Sequence, residues 1–407
     1  MNMNAVGVIV EYNPFHNGHA FHIEEARKTA EADVVIAVMS GNFLQRGEPA
    51  LVSKWKRTEM ALKAGVDIVF ELPYVFATQQ ANTFASGAVS ILEAAGCSSL
   101  CFGSESGSMD SFYKTESFLK KHNETYQLQV KYFLEKGNSY PKATSLAFHT
   151  LSPDNELIDL SKPNNILGYQ YIKAANAMNA SIKIFTVARK NANYHDPHFA
   201  SETIASATSI RKALFSEDGQ LEAIRQYMPE TSYKGLMEYK NQYGLFHDWE
   251  LYWPYLKFRL IHSTPEQIKT IYEVEEGLEN RILSSALESD SFQQFMEKLK
   301  TKRYTWTRLQ RTCVHILTNT TKSEMLMKEE KASYLRLLGM TTAGKDYLNK
   351  HKNDLSLPLI SRASSTKNSQ LLLDIKASRV YAMGASECSQ KKLLEMEFKQ
   401  PPIILEK

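Results

Sequence analysis

The sequence lacks a long apolar run, and only four of its 407 residues are cysteines. No stretch approaches the roughly 20 apolar residues that a membrane-spanning helix needs. The start of the chain has no basic flank, and Glu11 interrupts the first apolar run early, so neither a membrane anchor nor a signal peptide is predicted. We therefore expect a cytoplasmic protein.

The four cysteines, Cys97, Cys101, Cys313 and Cys388, are too few and too scattered for a disulfide framework. No second pair of cysteines or histidines stands near them at ligand spacing, which argues against zinc. We expect them to be reduced residues of the core or its boundary. The net charge of +3 is only mildly basic, so it does not by itself indicate a nucleic-acid partner.

The chain is too long for one small core, and its first half alternates strand and helix patterns. This alternation predicts an α/β fold: a Rossmann-like domain with a parallel sheet, followed by a mainly α-helical C-terminal domain. Changes of composition predict a first domain at 1–217, a helical domain at 218–355 and a small C-terminal element at 356–407. Predicted strands are Val6–Val10, Val34–Met39, Val66–Glu71, Ser99–Phe102 and Ser181–Val187, with Leu371–Ile375 and Val380–Met383 as further candidates; predicted helices include 54–64, 81–94, 110–136 and 168–178.

The first strand leads into a loop that carries two histidines. Val6–Val10 is an unbroken apolar run, as in a strand that is covered on both faces. Pro14 ends the regular structure, and Asn17 can cap the helix that follows. The unpaired amide hydrogens of a helix start attract anions, and the imidazoles of His16 and His19 would add donors. The pattern predicts a site for ATP phosphates.

The spacing His16-x-Gly18-His19 resembles the H-x-G-H signature of the nucleotidylyltransferase superfamily. Gly18 has no side chain to stand between the backbone and a phosphate. A surface histidine and a loop histidine bonded to backbone would give the same short pattern. Other candidates at predicted strand ends or helix starts are Gly103, Asn164, Arg189 and Lys190. The two basic residues suit phosphates, although solvated strand ends explain them equally well.

Two further stretches combine polar residues in a way that suits ligand binding. The stretch 205–211 is similar to the I-S-x-T-x-I-R element that closes over β and γ phosphates in adenylyltransferases, with Ser206, Thr208 and Arg211 as candidates. A helix cap by either hydroxyl explains part of that pattern equally well. The loop 39–50 suits recognition of a small polar group, or forms a turn in which Arg46 pairs with Glu48.

Basic and aromatic residues are crowded in the helical region at 298–311. Basic groups bind backbone phosphates, and aromatic rings stack with splayed bases of single-stranded RNA. A solvated helix with a core tryptophan is the alternative. The predicted RNA contacts are Lys300, Lys302, Arg303, Tyr304, Arg308 and Arg311.

Several blocks taken together closely resemble the bacterial tRNA(Met) cytidine acetate ligase family. They are residues 10–19, 40–50, 70–73, 164–168, 206–211 and 302–308, so the resemblance covers the whole chain. It implies a two-step reaction in which ATP activates acetate to acetyl-adenylate and releases pyrophosphate. The acetyl group then passes to N4 of the wobble cytidine of elongator tRNA(Met), which gives N4-acetylcytidine.

The resemblance implies that the domain at 1–217 binds ATP and that the helical domain at 218–355 binds tRNA. It also implies roles for individual residues at matching positions. His16 and His19 would be catalytic, because they would stabilise charge that develops on phosphoryl oxygens. The implied ATP site comprises Ile9, Val10, Glu11, Tyr12, Asn13, Pro14, Phe15, His16, Asn17, Gly18, His19, Ala20, Phe21, His22, Gly103, Asn164, Arg189 and Lys190. The expected cofactors are ATP as substrate and Mg²⁺ with it, without a protein metal site and without zinc. The expected partners are acetate and tRNA, with no membrane.

Two other functions remain open from the sequence. One is an adenylyl- or cytidylyltransferase that acts on a phosphorylated small molecule through the same histidines, and the basic and aromatic region argues against it. The other is a nucleotide-responsive RNA-binding protein without catalysis. The presence of both histidines argues against that reading, because binding alone would not require the pair.

Overall fold

The computed structural model describes residues 3–151, 156–189, 203–216, 219–275, 277–326, 330–365 and 367–406. Its strands are β1 (Ala5–Val10), β2 (Val34–Ser40), β3 (Ile68–Leu72), β4 (Ser99–Ser104), β5 (Lys183–Ala188), β6 (Leu335–Thr341), β7 (Leu359–Ile360) and β8 (Ile403–Leu405). They form one sheet in the order β5-β4-β1-β2-β3-β6-β7, and β8 also pairs with β6. The first five strands run parallel, while β6 is antiparallel to β3. The predicted α/β class with a parallel sheet and a helical C-terminal part is confirmed.

Helices cover both faces of the sheet and make up most of the later chain. They are α1 (Asn17–Thr29), α2 (Lys54–Lys63), α3 (Tyr74–Ala77), α4 (Ala81–Ala94), α5 (Met109–Lys121), α6 (Asn123–Glu135), α7 (Tyr140–Leu151), α8 (Pro163–Met178), α9 (Ala207–Leu214), α10 (Glu230–Tyr243), α11 (Trp249–Ile261), α12 (Pro265–Lys269), α13 (Leu278–Leu287), α14 (Phe292–Leu299), α15 (Trp306–Leu317), α16 (Lys322–Leu326), α17 (Thr342–His351), α18 (Ser369–Ala382) and α19 (Glu387–Lys399). Short 3₁₀ helices lie at Leu221–Tyr227 and Ala363–Ser365.

The order of the strands creates a ligand crevice at β1. Residues on β1 and β2 alternate between two hydrophobic cores, one on each face, because successive side chains of a strand point to opposite sides. The chain passes from β1 to β2 and β3 on one side, then returns to β4 on the other side of β1. In such sheets ligands bind beyond the carboxyl ends of the strands at this point of reversal.

Several predicted helices and strands differ from the structure at their ends. The helix predicted at 110–136 is two helices, α5 and α6, which meet at His122. The helix predicted from Gly168 begins earlier, at Pro163, because proline is well suited to the first turn. The strand predicted from Ser181 begins at Lys183.

The strands predicted at Leu371–Ile375 and Val380–Met383 are wrong, since both stretches lie in or at the end of α18. That helix is buried around much of its circumference, so its sequence shows short apolar runs without a clear helical period. The sequence also gave no sign of β6, which lies in a stretch predicted to be helical. The division at 217 and 355 stays a prediction, although β6 and β8 extend the sheet of the first part.

All four cysteines are free, and three of them, Cys97, Cys101 and Cys313, are buried, as predicted. Cys388 is exposed on α19. Within the described ranges, no helix is both long enough and apolar enough to span a bilayer.

A buried ion cluster ties the C-terminal helix to the sheet. The ammonium of Lys54 on α2 lies 2.7 Å from Glu71 Oε1 and 2.8 Å from Glu397 Oε2, and Arg336 approaches Glu397 at 3.7 Å. All four side chains are almost fully buried. Buried charges persist only when they are paired, so the cluster fixes the positions of α2, β3, β6 and α19.

We expect Lys54→Met to lower the free energy of unfolding by about 3–5 kcal/mol, because the buried Glu71 would lose its ion-pair partner and Glu397 would keep only the more distant Arg336. Urea denaturation followed by circular dichroism measures this loss. The control is Lys63→Met, which removes an exposed pair with Glu59 and should cost less than about 1 kcal/mol. Equal losses in the two variants would contradict a special role for the cluster.

Candidate active site

His16 and His19 cap the N-terminus of α1, because each imidazole accepts a hydrogen bond from a backbone amide of this turn. His16 is the N-cap residue, and its Nδ1 accepts a hydrogen bond from the Gly18 amide at 3.1 Å. The amide of His16 in turn donates to Nδ1 of His19 at 3.3 Å. The result is a capping box made from two imidazoles, whose centroids stack 3.7 Å apart.

Asn17 is not the helix cap that the sequence predicted, because the imidazole of His16 takes that role. Asn17 is the first helical residue. Its side-chain amide donates to the backbone oxygens of Thr203 at 2.8 Å and Gln226 at 3.0 Å. It therefore fastens the start of α1 to a later part of the chain.

The caps determine which ring nitrogens carry hydrogen. Burial, with Arg189 and Arg211 nearby, lowers the pKa of His16 to about 3. Burial and the neighbouring His16 also hold the pKa of His19 well below its usual range. Both rings are thus neutral at pH 7, and because each Nδ1 accepts a hydrogen bond, the hydrogen of each ring lies on Nε2. Each histidine is therefore a hydrogen-bond donor through Nε2.

Gly18 is required by the cap itself. A Cβ at this position would stand 2.9 Å from Cε1 of His16, so any side chain would displace the capping ring. The sequence assigned Gly18 to close approach of a ligand, and the structure supplies this additional reason. Gly103 differs, because a Cβ there would only make ordinary contact with Arg189 Cγ at 3.5 Å.

Two arginines bring positive charge to the same cavity. Arg189 follows β5, and its guanidinium donates to Asn164 Oδ1 at 3.1 Å. Arg211 lies within α9, donates to the backbone oxygen of Asn13 at 2.7 Å and pairs with Glu48 at 2.8 Å. Together with the Nε2–H groups of the two histidines, they form a corner of the cavity whose charge and donors suit an anion. The predicted Lys190 lies outside the described residues.

Most of the predicted ATP residues meet in one cavity at the carboxyl ends of β1, β4 and β5. Its lining includes Ile9, Val10, Glu11, Tyr12, Asn13, His16, Gly18, His19, Phe21, His22, Gly103, Asn164 and Arg189. Pro14, Phe15, Asn17 and Ala20 lie outside the lining. Ser206, Thr208 and Arg211 join it. Ser206 also caps α9, so the helix cap is confirmed, while the contact with phosphates stays a prediction.

The sequence missed the apolar part of the lining. These residues are Phe84, Phe102, Leu167, Tyr171, Val187, Ala188 and Ile204. They come from two helices, two strands and a connecting segment, and they look like ordinary core residues in the sequence. Only the general rule that small-molecule pockets are largely apolar could have suggested such a set.

The loop between β2 and α2 forms the wall of the cavity on the side of β2. Gln45, Arg46 and Glu48 line it. The amide of Gly47 donates to the Leu44 oxygen, and the Leu44 amide donates to the Glu48 oxygen, each at 2.9 Å. This tight turn needs the positive φ of 75° at Gly47, which favours glycine.

The basic helix α15 packs directly against this loop. A Cβ on Gly47 would lie 2.3 Å from the backbone nitrogen of Arg311, which shows how closely the two backbones approach. Trp249 also donates from Nε1 to the Gly47 oxygen at 2.8 Å. The predicted RNA region and the predicted ATP cavity are therefore neighbours that share one turn.

The six predicted RNA contacts divide into interior and surface residues. Tyr304 is buried, and Arg311 is buried in an ion pair with Glu273 at 3.0 Å, which differs from the exposed positions expected of them. Lys302 and Arg303 are exposed, and Lys300 and Arg308 are partly exposed. The guanidinium of Arg308 lies 4.8 Å from the Tyr304 ring centroid and 3.3 Å from Glu275.

Within the described part of the chain, no group of three or more histidine, cysteine, aspartate or glutamate side chains could hold a metal ion. The described lining contains two acidic residues, Glu11 and Glu48. Glu48 pairs with Arg211, and Glu11 accepts a hydrogen bond from the Gln45 amide. The cavity therefore presents hydrogen-bond donors and cations, which suit the oxygens of a polyphosphate.

Comparisons with known proteins agree with this geometry. The family model of the HIGH nucleotidyl transferases matches residues 3–395. The chain is 48% identical to the tRNA(Met) cytidine acetate ligase of Lysinibacillus sphaericus over 98% of this chain and 100% of that protein. It is also 48% identical to the tRNA(Met) cytidine acetate ligase of Bacillus subtilis, over 98% of this chain and 97% of that protein.

Solved structures give the same result. The apo crystal structure of Thermotoga maritima TmcAL matches over 100% of both chains, with a TM-score of 0.91 and 34% identity. The crystal structure of the same protein bound with alpha-thio ATP also matches over 100% of both chains, with a TM-score of 0.88 and 34% identity. The chain belongs to the HIGH nucleotidyl transferases and, among them, to the tRNA(Met) cytidine acetate ligase family.

Proposed function

We propose that this protein is an ATP-dependent ligase that activates acetate as acetyl-adenylate and transfers the acetyl group to N4 of the wobble cytidine of elongator tRNA(Met). The product is N4-acetylcytidine, and the protein acts in the cytoplasm. One observation supports this function over the alternatives: the turn at Gly47 joins a phosphate-type cavity to the helix that carries the basic surface residues. A transferase for small molecules would not need that junction.

In the first step, an acetate oxygen attacks the α-phosphate of ATP, and pyrophosphate leaves. Negative charge grows on the phosphoryl oxygens in the transition state. The Nε2–H groups of His16 and His19 are the donors that we assign to these oxygens. Arg189 and Arg211 would neutralise the β and γ phosphates. No protein nucleophile is needed.

We expect Mg²⁺ to arrive bound to ATP rather than to a protein cage, because the described residues offer no cluster of three or more ligands. The ion would neutralise charge on the leaving pyrophosphate. The donors and arginines of the cavity are compatible with such a complex, since they approach phosphate oxygens and leave other oxygens for the ion.

In the second step, the amino group of the target cytidine attacks the acetyl carbon, and AMP leaves. Helix α15 contacts the cavity wall at Arg311 and carries Arg308 on its surface, and the exposed Lys302 and Arg303 lie in the segment before it. We propose that these residues bind backbone phosphates of the tRNA and bring the wobble base to the cavity. The ring of Tyr304 makes a cation–π contact with the guanidinium of Arg308 and so helps to hold it in place.

Purified protein should exchange labelled pyrophosphate into ATP only in the presence of a carboxylate, with acetate preferred. It should also form N4-acetylcytidine in elongator tRNA(Met), which nucleoside mass spectrometry detects. Exchange without any carboxylate would favour a different adenylyl acceptor. Absence of exchange under all conditions, with tRNA binding intact, would favour the non-catalytic alternative.

The two roles of His16 should separate in a pair of variants. His16→Asn keeps an acceptor at the position of Nδ1, where asparagine is a good helix cap, but has no atom at the position of Nε2. We expect it to retain its stability and to lose on the order of 10²–10³ in the rate of pyrophosphate exchange, as for loss of one oxyanion donor. His16→Gln reaches the Nε2 position and should retain more exchange but less stability. The reverse order of exchange rates would exclude the assignment of the Nε2 hydrogen.

Loss of the basic surface should affect only the second step. The double variant Arg303→Ala with Arg308→Ala should bind tRNA more weakly and lower the salt dependence of binding by about one per lost phosphate contact. Pyrophosphate exchange should stay at the wild-type rate. The control is Lys120→Ala with Lys121→Ala, which removes two exposed charges on α5 and should leave tRNA affinity unchanged. Equal effects of both double variants would mean that only net charge matters.

A further inference from the structure

One carboxylate, that of Glu11, follows β1 at the centre of the cavity. In the sheet β1 lies between β4 and β2, so its end adjoins both sides of the cavity. On one side lie Gly103 and Arg189, at the ends of β4 and β5. On the other side lies the turn after β2 that contacts α15. Glu11 therefore stands between the predicted nucleotide side and the predicted RNA side.

The carboxylate is held by one oxygen only. Oε1 of Glu11 accepts a hydrogen bond from the Gln45 amide at 2.7 Å, and Arg57 donates to the backbone oxygen of Glu11 at 2.6 Å. Among the described residues, Oε2 has no hydrogen-bond partner. The side chain is only partly buried, and it lines the cavity. One oxygen thus fixes the orientation, and the other can accept a proton from a ligand.

The other basic groups of the described lining are less suited to accept a proton. Glu48 pairs with Arg211 at 2.8 Å. His16 and His19 use Nδ1 in the helix cap and carry hydrogen on Nε2, so they act as donors. Nε2 of His22 is enclosed by protein, and burial lowers the pKa of this ring to about 4, so it is a weak base. Glu11 is the remaining carboxylate of the described lining.

The second step of the proposed reaction needs such an acceptor. The exocyclic amine of cytidine carries two hydrogens, and one must leave when N4 becomes an amide nitrogen. The N4–carbon bond forms, the bond between the acetyl carbon and the AMP phosphate oxygen breaks, and AMP takes the electron pair. We propose that Glu11 is the general base of this step, and that its Oε2 receives the N4 proton. This role rests on the proposed ligase function.

The surroundings of Glu11 suit a base. Desolvation raises the pKa of its carboxyl, and Glu48 raises it further, while the Gln45 amide, Arg46 and Arg57 act in the opposite direction. Burial raises the pKa of Tyr171 on α8, and the nearby charge of Glu11 raises it further. The phenol of Tyr171 therefore stays protonated. A carboxylate with a raised pKa is a stronger base than a solvated one.

The test uses Glu11→Gln in the full-length protein. Glutamine keeps an oxygen that can accept from the Gln45 amide, but it cannot take a proton. Pyrophosphate exchange with acetate measures the first step. Single-turnover transfer to tRNA from chemically prepared acetyl-adenylate measures the second step alone. The matched control is Glu24→Gln, which makes the same chemical change on the exposed surface of α1.

We expect Glu11→Gln to slow transfer by at least about 100-fold, the usual contribution of a general base, and to lower pyrophosphate exchange by a much smaller factor. Its tRNA affinity should be unchanged, and Glu24→Gln should match wild type in both steps. An equal loss of exchange, unimpaired transfer, or a transfer loss explained by weaker tRNA binding would each overturn the role. If wild type itself transferred no acetyl group from acetyl-adenylate, the ligase function would fail first.

The pH dependence gives a second readout that a merely structural role would not produce. Wild-type transfer should speed up as pH rises through the raised pKa of Glu11 and then level off, because only the ionised carboxylate accepts a proton. Glu11→Gln should lose this rise. A rise of the same size in the variant would assign the titration to another group and overturn the proposal.

Discussion

The reciprocal cap between His16 and His19 is the constraint on which the site depends. It satisfies amides at the start of α1, fixes the orientation of both rings and leaves each Nε2–H as a donor. Burial keeps the rings neutral, so they donate hydrogen bonds without adding a full positive charge. The same two contacts thus organise a helix and orient two donors, and in the proposed reaction these donors would be preorganised for phosphate oxygens, as electrostatic catalysis needs.

The phosphate side of the site could be read from the sequence because its residues follow one another along the chain. An apolar strand, a proline and two histidines around a glycine form a local pattern, and the end of the strand, both histidines and the glycine line the cavity. The helix cap was assigned to the wrong residue because asparagine is a common cap and histidine is a rare one. The apolar lining could not be predicted, since residues such as Phe84 and Tyr171 have no pattern that distinguishes them from the core.

Strands and helices were predicted correctly where a local sequence pattern marks them, and were missed where none does. The parallel strands are continuous apolar runs, which the sequence displays directly. Strand β6 pairs with a segment more than 260 residues earlier in the chain, and no local pattern encodes such a partner. Helix α18 was taken for strands because packing on several sides removes the polar face that identifies an amphipathic helix. Arg311 of α15 was predicted to be an exposed RNA contact because basic residues are usually exposed, but it lies in a buried ion pair with Glu273.

The pairing of β6 with β3 has a consequence for how the protein is made. Without Leu335–Thr341, strand β3 would end the sheet with a row of unpaired backbone groups, which invite pairing with other chains. The adenylating part therefore cannot be cut out at its predicted boundary without exposing such an edge. During synthesis, that edge stays open until β6 has left the ribosome, so the nascent chain must be protected while the helical region is translated.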